Sequence, residues 1–94
     1  MFLVYILQCG DDSYYVGSTE HLEARVREHD EGTLGAAYTF IRRPVTLVYS
    51  ESYETQVEAM RRERQLKGWS HAKKEALIRG NVVALKALSK RRGP

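Results

Sequence analysis

The fold is determined by the stretch 2-FLVYILQCGDDSYYVGS-18. Its first eight residues form a short apolar run with β-branched and aromatic side chains, which is typical of a strand covered on both faces. Residues 10–13 are turn formers, so residues 14–18 are expected to fold back as the second strand of a hairpin. Such a hairpin brings Tyr5 and Tyr15 near each other, while Tyr14 points to the opposite face from Tyr15.

The rest of the chain predicts one further strand and mostly helix. A helix through residues 22–29 begins after a capping Ser18 or Thr19, and a loop follows over 32–37. The later elements are a strand over 45–49 and helices that end near residues 67, 78 and 88. The first of these three helices begins after Ser52 or Thr55, and the other two begin after Ser70 and Asn81.

This order predicts an α/β (α+β) domain built around a small three-stranded antiparallel sheet flanked by helices. The elements follow the order β-β-α-β-α-α, with an extra C-terminal helix. The domain is expected to span residues 1–88, followed by a basic flexible tail at 89–94.

Length and composition exclude several classes of protein. The 94 residues are 43% hydrophobic and 29% charged, as in a folded globular domain. No apolar run is long enough for a membrane span, and no signal-peptide pattern opens the chain. The single Cys9 provides neither an internal disulfide nor a thiolate metal cage, so a reducing cytoplasmic setting is expected.

Charge is distributed unevenly along the chain. Residues 1–41 carry seven acidic and two basic side chains, a net −5, whereas residues 42–94 carry five acidic and thirteen basic ones, a net +8. This asymmetry suggests an anionic partner that is met mainly by the C-terminal half. A solvated helical surface explains the same charges equally well.

The first helix has one stripe that combines apolar and charged residues. Leu22, Arg25, Val26 and His29 lie at i, i+3, i+4 and i+7, so the two aliphatic residues direct the stripe toward the body of the protein. An arginine on such a stripe usually has a fixed anionic partner. That partner is either a carboxylate or a bound phosphate.

Glu63 occupies the middle of an apolar helical face. Ala59 and Met60 precede it by four and three positions, and Leu66 follows it by three. An unpaired carboxylate in such a position is costly. Two interpretations therefore remain, a structural ion pair with Arg25 and a metal ligand.

Taken together, these residues resemble the GIY-YIG nuclease superfamily, and more closely its small stand-alone bacterial members (the URI or YhbQ-like group). The first motif stands at residues 3–5 as Leu-Val-Tyr, with leucine in place of the usual glycine. The second motif stands at residues 15–17 as Tyr-Val-Gly. Arg25, His29 and Glu63 follow in the family's order.

The resemblance implies an endonuclease that cleaves phosphodiester bonds by in-line attack of an activated water. It also implies one divalent cation, Mg²⁺ or Mn²⁺, with Glu63 as its protein ligand. Arg25 would stabilise charge on the phosphoryl oxygens, and Gly17 would allow close approach at the strand end. Tyr5 or Tyr15 would accept the proton of the water, with His29 orienting or relaying it.

The implied partner is nucleic acid, DNA rather than RNA, with single-stranded and branched DNA both open. No membrane and no obligate protein partner are expected. Two alternatives remain, a module that binds nucleic acid without cutting it and a protein-interaction domain with a structural Arg25–Glu63 pair. The cations expected to contact nucleic acid are Arg42, Arg43, Lys67, Lys73 and Lys74.

Overall fold

Three strands and five helices make up the part of the chain that the computed structural model describes, residues 1–33 and 37–90. The strands are β1 (Phe2–Gln8), β2 (Tyr14–Thr19) and β3 (Thr46–Tyr53). The helices are α1 (Leu22–Glu31), α2 (Ala37–Phe40), α3 (Gln56–Lys67), α4 (His71–Arg79) and α5 (Val82–Lys90). The predicted α+β class and element order are confirmed, with the one-turn helix α2 added.

The apolar strand β1 lies in the centre of the sheet. The sheet has the order β2-β1-β3, and both pairings are antiparallel. In the hairpin, Tyr5 pairs with Gly17 and Leu7 pairs with Tyr15. Paired residues on neighbouring strands point to the same face of the sheet, and so do residues two apart on one strand. Tyr5 and Tyr15 therefore lie on the same face.

The two faces of the sheet are covered by different helices. The face toward α3 forms an aliphatic cluster of Val4, Ile6, Val16, Ala59 and Leu66. The opposite face carries Tyr5, Leu7, Cys9 and Val45, with Tyr15 and the α1 residues Leu22 and Val26 packed against them. Because β1 is covered on both sides, its sequence is a continuous apolar run.

Helix capping agrees with the sequence at three of four predicted positions. The side chain of Thr55 accepts a hydrogen bond from the Glu58 amide, and Ser70 accepts one from the Lys73 amide. Asn81 likewise accepts from the Ala84 amide. The prediction for α1 was wrong, because the N-cap residue is His21 and Ser18 remains within β2.

Other boundaries also differ from the prediction. Strand β3 is longer than expected, and it continues to Tyr53 because α3 begins only after the Thr55 cap. Helix α5 ends at Lys90, so the first two residues of the predicted tail are helical. The remaining tail residues, 91–94, lie outside the described part of the chain, and the domain boundary at residue 88 stays a prediction. Within the described residues, no helix has the length and apolar character needed to cross a membrane.

Candidate active site

The ring of Tyr5 lies directly against the backbone of Gly17. The two residues are paired across the hairpin, and Tyr5 is 1% exposed. A Cβ atom at position 17 would overlap the hydroxyl oxygen and the adjacent ring carbon of Tyr5. Only glycine leaves this space open, so Gly17 shapes the site by allowing the close approach expected from the sequence.

Tyr5, His29 and Thr39 form a buried chain of hydrogen bonds. The Tyr5 hydroxyl lies 3.0 Å from Nε2 of His29, and Nδ1 of His29 lies 2.8 Å from Oγ1 of Thr39. Each of the three residues is 1% exposed. Helix α1 supplies His29 from the stripe that packs against the sheet, and α2 closes the other side with Thr39.

The surroundings of Tyr5 and His29 keep both side chains neutral near pH 7. Burial, followed by the neighbouring Tyr15 hydroxyl, raises the pKa of Tyr5 to about 12. Burial, followed by the charge of Arg25, lowers the pKa of His29 below its usual value. A neutral histidine can accept a proton, so the tyrosine that is hard to ionise is hydrogen-bonded to a base.

Tyr15 lies beside the same histidine but is more accessible. Its ring centroid is 4.9 Å from that of His29 and 5.8 Å from that of Tyr38. Tyr14 lies on the other face of the sheet, where it stacks on His71 at 4.5 Å. The predicted division of the two adjacent tyrosines between opposite faces is therefore confirmed.

Arg25 lies at the margin of this cluster. Its guanidinium favours the ionised form of Tyr5 and so opposes the burial that raises the pKa of that tyrosine. The ion pair that Arg25 makes is with Glu28, at 3.4 Å, and not with Glu63. Since its side chain remains 35% exposed, Arg25 is accessible to an anionic ligand.

Glu63 reaches the edge of the sheet from α3. Ser18 donates a hydrogen bond to its Oε1 at 2.6 Å, and the Lys67 ammonium lies 2.9 Å from its Oε2. The charge of Glu63 makes a smaller contribution than burial and Tyr15 to the raised pKa of Tyr5. The structural ion pair expected as an alternative is thus made with Lys67 rather than with Arg25.

The donor set suits a metal ion that keeps most of its water ligands. Within residues 1–33 and 37–90, no group of three or more His, Cys, Asp or Glu side chains is placed to enclose a metal. Mg²⁺ is commonly held by one or two carboxylates together with water and substrate phosphate. Glu63 fits this pattern, provided that Lys67 turns away from the carboxylate.

Cavities flank the cluster rather than enclose it. A polar cleft of about 240 Å³ borders Ser18 and Arg25 between the start of α1 and α3. A larger cavity, about 600 Å³, lies between α1 and β3 and is lined mainly by aliphatic side chains such as Val26 and Leu47. It contains none of the cluster's polar groups, so the polar cleft is the more relevant one for a phosphate.

The cations predicted to contact nucleic acid differ in their availability. Lys67 is 54% exposed but is paired with Glu63. Arg42 pairs with Asp11 at 3.1 Å, and its guanidinium stacks on the Tyr38 ring at 3.9 Å. Arg43 is exposed and donates hydrogen bonds to backbone carbonyls near Gly32.

The two lysines at the start of α4 are poorly placed for such contacts. Lys73 is 7% exposed, and its ammonium lies 4.2 Å from the centre of the Trp69 ring. Lys74 is partly buried, and this burial lowers its pKa. Lys73 therefore packs against Trp69 through a cation–π contact, and its role in binding nucleic acid stays a prediction.

Sequence reasoning missed the roles of Ser18 and Thr39. Small hydroxyl residues are favoured at helix caps, and the sequence therefore predicts Ser18 as a cap. In the structure, Ser18 instead donates a hydrogen bond to the Glu63 carboxylate. Thr39 follows a loop-like stretch and shows no periodicity, so its contact with His29 had no local signal.

Comparisons with known proteins found a matching family and similar sequences. The model of the GIY-YIG catalytic domain matches residues 1–76. A UPF0213 protein of Staphylococcus aureus (strain Mu3) is 49% identical over 76 residues, which are 81% of this chain and 92% of that protein.

Two structures solved by solution NMR are also similar. A UPF0213 protein from Bacillus halodurans is 42% identical, covers 83% of both chains and has a TM-score of 0.53. A protein from E. faecalis is 35% identical, with coverage of 86% of this chain and 85% of that one, and a TM-score of 0.57. Neither name states an activity.

Proposed function

This chain belongs to the GIY-YIG family, in its group of small stand-alone members, and we propose that it is an endonuclease that hydrolyses phosphodiester bonds of nucleic acid. DNA is the favoured substrate, and single-stranded and branched forms are both included. The observation that carries the proposal is the hydrogen bond between the buried Tyr5 hydroxyl and neutral His29, beside Arg25 and Glu63. A buried phenol hydrogen-bonded to a buried imidazole, with a guanidinium and a carboxylate both acting on the pKa of the phenol, is typical of a functional site.

Glu63 would hold one divalent cation, Mg²⁺ or Mn²⁺. Such a cation supplies positive charge that acidifies water and offsets the charge on phosphate oxygens. Ser18 keeps one oxygen of Glu63 oriented, and the Lys67 ammonium, which pairs with the other oxygen, would have to leave it for a metal to bind there.

Tyr5 is proposed as the group that takes the proton from the attacking water. Its high pKa makes prior ionisation unfavourable, so its own proton passes to Nε2 of His29 as it accepts the new one. The water oxygen forms a bond to phosphorus, the bond to the leaving oxygen breaks, and that oxygen takes a proton from solvent. His29 then releases its extra proton to solvent. Tyr15, which contacts the His29 ring, orients the histidine and the substrate.

Arg25 is proposed to bind the scissile phosphate. Its guanidinium offers a planar, positively charged fork to two phosphoryl oxygens. The pairing with Glu28 is a partly exposed i,i+3 contact, which contributes little to stability and gives way easily to a phosphate.

A binding module that does not cut is the second candidate. Both oxygens of Glu63 have partners in the structure, Ser18 and Lys67, and Leu3 replaces the first-motif glycine. If Lys67 holds the carboxylate permanently, the fold would still bind nucleic acid but would lack a metal ligand.

The test is a cleavage assay on labelled single-stranded DNA, duplex DNA, flap DNA and RNA, each with Mg²⁺, Mn²⁺ or EDTA. Wild-type protein should cut at least one DNA with metal and none with EDTA. Glu63→Ala should abolish cutting and keep binding in a gel-shift assay. Binding without metal-dependent cutting by the wild type would select the second candidate, and a cutting Glu63→Ala variant would remove Glu63 from the mechanism.

A further inference from the structure

Thr39 is the inward-facing residue of the one-turn helix α2. Its neighbours Tyr38 and Phe40 are exposed, whereas Thr39 is 1% exposed and lies 2.8 Å from Nδ1 of His29. A short helix of four residues contributes little to the core by itself. Among residues 38–40, Thr39 is the buried side chain, and it is directed at the histidine of the proposed site.

The protons of the buried chain can be assigned by counting donors and acceptors. The Tyr5 oxygen lies beside the Arg25 guanidinium, which can only donate a hydrogen bond. If Nε2 of His29 also donated, the Tyr5 hydroxyl proton would need a further acceptor. Among the described residues, the Tyr5 hydroxyl is hydrogen-bonded to His29. The Tyr5 proton therefore points to Nε2, and a neutral His29 carries its own proton on Nδ1.

We propose that Thr39 is a positioning residue that fixes the tautomer of His29. Its hydroxyl oxygen accepts the Nδ1 proton, which leaves Nε2 unprotonated and aimed at the Tyr5 hydroxyl. This is the role of the third group in a nucleophile–base–orienting group arrangement. The effect on rate rests on the proposed function, whereas the tautomer is a property of the resting protein.

The groups that face His29 are consistent with a neutral ring. Tyr5 and Tyr15 contact it from the two hairpin strands, and Arg25 and Glu28 act on it from α1. Burial and Arg25 lower the pKa of His29, and the opposing effect of Glu28 is smaller. The ring is therefore neutral at pH 7, the state in which the choice of tautomer exists.

Long-range ¹H–¹⁵N correlation spectra of the full-length protein, labelled with ¹⁵N-histidine, test the assignment directly. His21 and His71 are exposed and serve as comparison signals in the same spectrum. At pH 7, His29 should show a protonated Nδ1 and an unprotonated Nε2. A protonated Nε2 in the wild-type protein would overturn the proposal whether or not the protein cuts DNA.

Two variants separate positioning from packing. Thr39→Val keeps the shape and removes the acceptor, so His29 should shift toward the Nε2–H form and kcat should fall ~10–100-fold with KM unchanged. Thr39→Ser keeps the hydroxyl, so it should retain the wild-type tautomer and most of kcat. An unchanged His29 spectrum in Thr39→Val would overturn the proposal, even with lower activity. If Thr39→Val does not fold, the wild-type and Thr39→Ser spectra decide.

The same data distinguish the His29 tautomer from the proposed nuclease function. An Nδ1-protonated His29 in a wild-type protein that cuts no substrate would contradict the nuclease function and leave the tautomer assignment intact. Metal-dependent cutting by a protein with an Nε2-protonated His29 would support the function and contradict the role of Thr39.

Discussion

Gly17 determines the shape of the site because it has no side chain. The ring of Tyr5 occupies the position of a Cβ atom there, so the hydroxyl can reach His29 beneath the edge strand. In the sequence, this glycine is recognisable only as part of a short motif. The physical reason for a glycine at this position is the ring of Tyr5, its partner across the hairpin.

Gly17→Ala should destabilise the protein by ~1–3 kcal/mol, because the added methyl group displaces a fully buried ring. Cleavage should fall as well, since the Tyr5 hydroxyl moves away from His29. Gly68→Ala is the control: its Cβ would lie 3.5 Å from the nearest atom, an ordinary contact, at a φ of −83°. The control should be neutral or slightly stabilising. Equal denaturant midpoints and cleavage rates for the two variants would contradict the close approach at Gly17.

Removing hydroxyls one at a time tests which tyrosine takes the proton from water in the proposed reaction. Tyr5→Phe should lower kcat by ~10²-fold or more, the usual scale for a positioned proton transfer. Tyr15→Phe should have a milder effect, because its ring contact with His29 remains. Tyr14→Phe should match wild type, since Tyr14 lies on the opposite face. A larger decrease for Tyr15→Phe than for Tyr5→Phe in single-turnover assays would reverse the assignment.

At the scale of elements, α3 carries Glu63 and is fixed to β3 by one ion pair. Arg62 donates hydrogen bonds to both oxygens of Glu51, at 2.9 and 3.0 Å, and Tyr49 and Tyr53 donate to the same carboxylate. Burial alone would raise the pKa of Glu51, but the hydrogen bonds from Arg62 and the tyrosines hold it below its usual value. The carboxylate therefore stabilises the contact between strand and helix in its ionised form.

Glu51→Gln should reduce stability by ~1–3 kcal/mol at pH 7, because it weakens a set of charge-assisted hydrogen bonds. A lowered pKa in the folded state stabilises the protein above the ordinary glutamate pKa, and this contribution disappears as pH falls through the lowered value. The difference from wild type should accordingly shrink on acidification. Urea unfolding at pH 7, 5 and 3 measures it.

Glu75→Gln provides the comparison for that experiment. Glu75 pairs with Arg79 at 3.6 Å on an exposed helical surface, so its removal should change stability by less than ~0.5 kcal/mol. If the two glutamine variants unfold alike at every pH, the Glu51 network does not fix α3.

Elements with a strong local signal were predictable from sequence, whereas α2 was not. The apolar run of β1, the Thr55 cap and the αL glycine at Gly80 each act within a few residues. Helix α2 is a single turn, and the contact that its Thr39 makes is with a residue on another helix. Similarly, Ser18 was predicted as a helix cap from its residue type. Its contact with the Glu63 carboxylate, 45 residues away, has no local signal in the sequence.

At the scale of the whole molecule, the net charge overstates the surface available to nucleic acid. The C-terminal half carries a net +8 over residues 42–94. In the structure, however, Arg62 is committed to Glu51, Lys67 to Glu63 and Lys73 to the Trp69 ring. Fewer cations than the sequence suggests are free to neutralise phosphates.

The salt dependence of binding should therefore separate exposed from buried cations. Arg43 is exposed, and in the described part of the chain its hydrogen bonds go to backbone carbonyls, so its charge is not neutralised by a carboxylate. Arg43→Gln should weaken DNA binding and reduce the slope of log Kd against log salt concentration by about one.

Lys73→Met is the matched change at a buried cation, 7% exposed and stacked on an indole. It should leave the slope unaltered and lower the unfolding midpoint, because the substitution weakens packing and removes no interaction with phosphate. Fluorescence anisotropy with a labelled oligonucleotide in EDTA, over 50–300 mM KCl, gives both slopes without cleavage. An equal decrease for the two variants would mean that binding senses the net charge of the C-terminal half, whatever the position of each cation. No decrease for Arg43→Gln would place the nucleic acid on another surface, because removing a cation that neutralises a phosphate must reduce counterion release and therefore the slope.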